Sequence, residues 1–190
     1  MSFRPEHVIA ETRAWVNRAV IGLNLCPFAK AVETANQIRY VTTEAPDADA
    51  LLAVLESELQ LLASTDPNQT ETTLLIHPLA LTDFEEFNQF HAVAEEAVER
   101  LGLEGILQVA SFHPQFQFAG TDADDITNAT NRSPHPTLHL LREESISRAV
   151  AAFPDPSTIY DANILTLRAL GHGGWEALRK KCHDDAQGTG

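Results

Sequence analysis

The sequence predicts a single α/β domain: a small mixed sheet of about four or five strands, packed by helices. Three observations carry this. β-branched and apolar runs alternate with helical stripes in the order strand, helix, strand, helix, strand, with short joints, which is the pattern of crossover units. Thr72–Ile76 is short and largely apolar, as a strand buried on both faces must be. A chain of 190 residues, 44% of them apolar and with no repeat or linker, has enough core for one domain.

The elements follow in order. Residues 5–21 form a first helix: Val8, Trp15, Val16, Ala19 and Val20 share one stripe, Thr12 is its polar member, and Gly22 stops it. Pro27 suits the first position of a short second helix to about Thr34, with Cys26 as its cap. Ile38–Thr43 reads as a strand. Pro46-Asp47 opens a leucine-rich helix to about Ser64, and Thr72–Ile76 is the second strand. A capping box, Thr82 to Glu85, starts a helix whose buried side holds Phe84, Phe87, Phe90, His91, Ala94, Ala97 and Val98, closed by Gly102. Ile106–Phe112 is the third strand, which Gln115–Phe118 continues or pairs with, and Thr137–Leu141 is a further strand. A helix from Glu144 or Ser145 ends at Pro154, and another spans Thr158–Leu170. After Gly171-His-Gly-Gly174 a last helix runs from Trp175 to about Lys181. The globular domain is expected over 1–183, with a disordered tail over 184–190.

Charge narrows the partners. The net charge of −14 argues against nucleic acid and anionic membranes, whose phosphates demand a basic face. No run reaches the ~20 apolar residues of a membrane span, and the N-terminus is charged and helical, unlike a signal peptide. Two cysteines far apart make no disulfide framework and no zinc ribbon. The expectation is a cytoplasmic protein with reduced thiols. Lys30, Arg132 and Arg142 are sparse cations in an acidic chain; they either focus on a small anion or pair with surface carboxylates.

The stretch Phe112–Arg142 concentrates the polar chemistry, with three histidines and two arginines. Residues 119–136 form a long loop without periodicity, and such loops in compact domains are functional or disordered. Ile126 and the flanking strands favour function. Arg132 can grip a carboxylate or phosphate with two parallel bonds, helped by Asn131 and Ser133; alternatively it pairs with Asp122, Asp124 or Asp125 and shapes the loop. His113 is a proton-transfer candidate or a histidine satisfied by a backbone carbonyl. His77 has the same status. His135 and His139 are four apart on a strand, ~13 Å, too far to share an ion, although His113 and His135 can converge across the loop's base. The aspartates lack the glycine and glutamate of a calcium loop. No metal or other cofactor is assigned. Cys26, at a helix start with Lys30 one turn on, is a nucleophile candidate or a small buried apolar residue. Cys182 reads as an exposed bystander.

Three motifs, GLNLCPFAK (22–30), FHPQFQFAG (112–120) and TNRSPHPTLHLLRE (130–143), resemble the DUF1415 family of bacterial proteins with plant relatives. The resemblance spans nearly the whole chain. It implies a single-domain cytoplasmic protein and supplies no activity, substrate or cofactor. It does bring Cys26, His113 and Arg132 together as residues of interest.

Two functions follow as expectations. The first is an enzyme, a hydrolase or group transferase, acting on a small anionic metabolite. Cys26 and His113 would be catalytic; Lys30, Asn131, Arg132, Ser133, His135 and Arg142 would hold the ligand. The second is a non-catalytic module that binds a metabolite or a protein. Walker, GxGxxG, GxSxG and HExxH motifs are absent, so nucleotide-motor, dinucleotide, serine-hydrolase and zincin readings lose their usual support. The oligomeric state is not legible.

Overall fold

The computed structural model describes residues 3–152 and 157–188. One four-stranded mixed sheet lies between two helical layers. Its strands are β1 (Ile38–Thr42), β2 (Thr72–Ile76), β3 (Leu107–Phe112) and β4 (Thr137–Arg142), in the order β1-β2-β4-β3. β1 and β2 are parallel, with Tyr40 beside Leu74. β4 inserts antiparallel between β2 and β3, pairing Leu74 with His139 on one side and His139 with Ala110 on the other.

This order follows from the chain. α3 (Ala48–Ser64) crosses from β1 to β2, and α4 (Phe84–Arg100) from β2 to β3. The long connection after β3 then lets β4 return between them. All five residues of β2 are buried, as its apolar run requires in a central strand. Alternation divides the sheet between two cores. Leu75, Leu107, Val109, Leu138 and Leu140 pack with the leucines of α3 and with Phe87 and Phe90 of α4. Leu74 faces the other way, with Phe112 also on that side. There they meet Trp15, Val16, Ala19 and Leu25, and Leu167, Trp175 and Cys182.

The second face is covered by α1 (Pro5–Trp15) and the last helix, α6 (Ser157–Gln187). α1 continues as a π-helical turn, Val16–Ile21, before Gly22. Of its expected stripe Val8, Thr12, Trp15, Val16 and Ala19 are buried, and Val20 is partly buried against the same core. Thr12 avoids an unpaired hydroxyl by donating to the Val8 carbonyl one turn back.

Several boundaries differ from expectation. α2 is only Ala29–Thr34, with Phe28 rather than Cys26 at its N-cap. Asp83 caps α4 instead of Thr82, accepting from the amides of Glu85 and Glu86. Gln115–Phe118 is not a strand: the Phe116 and Phe118 rings meet edge to face, and Phe116 also meets Phe84. α5 begins at Glu143 and runs to Ala152, and its expected end at Pro154 lies outside the described residues. The break at residues 171–174 shrinks to Gly171 alone, whose φ of 65° and ψ of 174° divide α6 into two arms. The second arm reaches Gln187. Disorder from Asp184 onward is therefore corrected for residues 184–187: Asp185 accepts two bonds from Arg18, and Ala186 is buried. Among the described residues no helix is long and apolar enough to cross a membrane.

Candidate anion cleft

The long loop is ordered by its own polar groups. Ile126–Asn131 is a 3-10 helix capped by Asp125, whose carboxylate accepts from the amide and hydroxyl of Thr127. Asn128, fully buried, accepts from the Phe118 amide and the Thr121 hydroxyl and donates to the Asp122 carbonyl. These bonds fold the loop against α6.

Arg132 follows this helix. Its Nε donates to the Phe116 carbonyl at 3.1 Å and Nη2 to the Ala123 carbonyl at 2.6 Å. It shapes the loop through carbonyls rather than through the aspartates. A guanidinium has five N–H donors, so most remain for another partner. Burial first, and the charge of Arg179 second, hold its pKa below the ordinary guanidinium value.

Arg132 and Ser133 form one wall of a cleft of about 310 Å³ between the loop, α1 and the second arm of α6. Arg179, Lys180 and His183 of that arm also line it, together with Glu176, whose carboxylate pairs with Arg179 at 3.1 Å, and Trp15 and Trp175 are apolar lining. Trp175, Arg179 and His183 are spaced by four along α6 and so share a face. Glu11 is the acid at the α1 side. One of its oxygens meets His135 Nε2 at 3.0 Å, the other His183 Nδ1 at 3.1 Å. Burial alone would raise the Glu11 pKa. The hydrogen bonds and charges of His135 and His183 outweigh it and hold the carboxyl below its usual range.

The other candidates lie elsewhere. His113 is fully buried on the opposite face of the sheet, between the rings of Phe84 and Phe87. Its Nδ1 accepts from the Gln115 amide and its Nε2 faces the Leu81 carbonyl at 3.3 Å, so it is a neutral imidazole with a structural partner at each nitrogen. Cys26 sits in the turn before α2, next to Leu25 of the second core, so the sheet separates it from His113. These two do not form a catalytic pair. Asn131 spends its carbonyl on the His113 amide and its side chain on the Ser111 carbonyl. Lys30 is exposed on α2, away from the cleft lining. Arg142 is buried and donates to the carbonyls of Leu62, Thr65 and Thr70, clamping the end of α3 and the following loop. It serves the backbone there and lies outside the cleft lining. His135 and His113 do not converge: the former belongs to Glu11, the latter to α4. His139 bonds to the Thr72 hydroxyl across the sheet. Cys182, expected to be exposed, is 2% exposed, and burial pushes its thiol up to about 11.

Glu11, Arg179, Lys180 and His183 went unselected in the sequence. The basic run Arg179–Lys181, beside Cys182 and His183 in so acidic a chain, was the signal available. Nothing in the linear order ties it to Arg132 or to the first helix.

The fold and cleft define a three-layer α/β domain with a cation-lined depression on its N- and C-terminal helices. The family model for DUF1415, a protein of unknown function, matches residues 7–177, so the chain belongs to that family. Arg179, Lys180 and His183 lie just beyond the matched span. No curated protein and no solved structure matches.

Proposed function

We propose that this is a cytoplasmic protein that binds a small anionic metabolite, a carboxylate or phosphate compound, in the cleft between Arg132 and α6. One observation carries the reading: in a chain of net charge −14, Arg132, Arg179 and Lys180 come from two distant segments to one depression. Arg132 makes no ion pair among the described residues, whereas Arg179 pairs with Glu176, an exposed acid of the same cleft, at 3.1 Å. Arg132 feels the charge of Arg179, and an anion seated between them would relieve that repulsion. The tryptophans supply apolar lining beside the polar groups, the usual composition of a small-molecule site.

Hydrolase or group-transfer chemistry on that anion is the second reading. It is favoured by the carboxylate and imidazoles at the rim, Glu11, His135 and His183, and no longer by Cys26 and His113.

Thermal shift and calorimetry against phosphorylated and carboxylated metabolites test the proposal. The variant of choice is Arg179→Gln/Lys180→Gln, because both side chains project from a helix and neither holds the loop. Wild type is expected to gain a shift with at least one anion class, and the double variant to lose at least tenfold in affinity at unchanged fold. No response to any anion, or an undiminished response in the variant, overturns the reading.

A further inference from the structure

We infer that His7, Glu11 and His183 form a binding site for one divalent first-row transition ion, of the zinc class, at the rim of the cleft. The donor atoms of these three residues lie within 4.8 Å of one another. They come from the two ends of the chain. His7 and Glu11 are four apart on α1, which puts both on one helical face, and His183 comes from the second arm of α6. The His7 and His183 rings meet edge to face with centroids 5.5 Å apart.

The separations suit an ion. Ligands ~2.1 Å from a tetrahedral centre stand roughly 3.4 Å from each other. Glu11 Oε1 and His183 Nδ1 are already 3.1 Å apart. The remaining gap is to His7, on the first turn of α1.

The surrounding bonds are those a metal site uses to hold its ligands. The second oxygen of Glu11 is occupied by His135, which leaves Oε1 for the ion. The second nitrogen of His183 is occupied by the Gln187 amide at 2.8 Å, which leaves Nδ1. With that amide turned to present its oxygen, Nε2–H has an acceptor and Nδ1 carries the lone pair. Partners of this kind fix the tautomer and orientation of metal-bound histidine and carboxylate.

The donor set selects the ion. Two imidazoles and one carboxylate suit zinc and its first-row neighbours, whereas Mg²⁺ and Ca²⁺ prefer oxygen alone. Three protein ligands leave a fourth position open for water or a ligand. Glu11 and His183 both line the cleft, so that position is available to its occupant. Metal binding itself does not depend on the anion proposal; only the use of the open position rests on it.

The test is metal titration of the chelator-treated full chain, without any organic anion. Zn²⁺ is followed by calorimetry and Co²⁺ by its visible absorption. The expected result is one ion per chain, with affinity reduced at least thirtyfold in His7→Gln and in His183→Asn and unchanged in His172→Gln, an exposed imidazole elsewhere on α6. His7→Gln is the decisive variant, since it leaves the Glu11–His135 bond in place and so does not threaten the fold. No stoichiometric binding, equal binding by wild type and His7→Gln, or a preference for Mg²⁺ or Ca²⁺ overturns the inference. Anion titration of Arg179→Gln/Lys180→Gln is read separately, so either proposal can fail while the other stands.

Discussion

Arg142 and His77 show how single buried polar residues are spent in this fold. Arg142 satisfies three carbonyls where α3 ends and the next loop begins. Arg142→Met keeps the volume and removes those charge-assisted bonds. It is expected to lower stability by ~2–4 kcal/mol while leaving anion affinity intact, as read by urea denaturation and calorimetry. His77 donates from Nδ1 to the Ala80 carbonyl at 3.0 Å and stacks on Phe87, and its Nε2 has no partner. Burial lowers its pKa from 6.5 to about 4. Between those values the unfolded chain binds the extra proton, so stability is complete above 6.5, falls as pH drops towards 4 and then levels off. The loss attributable to His77 is about 3 kcal/mol. His113 and His139 shift in the same direction and steepen the acid limb. His77→Asn keeps a donor for Ala80 and cannot titrate. Its difference in melting temperature between about pH 7 and about pH 4.5 is expected to be smaller than that of wild type. An unchanged difference would contradict the assignment.

At the scale of elements, the cleft depends on the two arms of α6 meeting at Gly171. Its φ of 65° with ψ of 174° lies in a region that side chains exclude, and nothing crowds the position where a Cβ would sit. The cost of a substitution there is therefore conformational. Gly171→Ala is expected to destabilise by roughly 1–3 kcal/mol. It should also weaken anion binding, because the second arm carries Arg179, Lys180 and His183 to the loop. A variant that binds as tightly as wild type would show that the arm's direction is held by packing alone. Arg18–Asp185 and the Trp15, Trp175 and Cys182 cluster are the contacts that would do so.

For the molecule as a whole, the relevant quantity is the contrast between a net charge of −14 and a small cationic depression. The general field repels anions and the cleft attracts them. Salt screens the long-range repulsion first, while its own anions compete directly at the exposed Arg179 and Lys180 side chains. Raising a chloride salt from ~0.05 to ~0.5 M supplies a competing anion at the cleft, and the dissociation constant of the bound anion should rise several-fold. A salt-independent constant would point to an occupant held by the tryptophans instead.

The α/β class, the strands and the stripes of α1, α3 and α4 were legible in the chain because they are local: periodicity of 2 or 3.6, Gly22, and the apolar run of β2. The insertion of β4 between β2 and β3 was not, because strand order is a long-range choice between edges of similar composition. The loop containing Arg132 could be singled out from its length and polarity. Its partners could not. Glu11 and His183 are separated by 172 positions, and His113 and Cys26 by a sheet whose two faces alternate residue by residue. Motif chemistry selects residue types, but proximity is settled by which face each side chain takes when the helices dock. Here docking placed the polar loop against the C-terminal arm and enclosed His113 and Arg142 as structural groups.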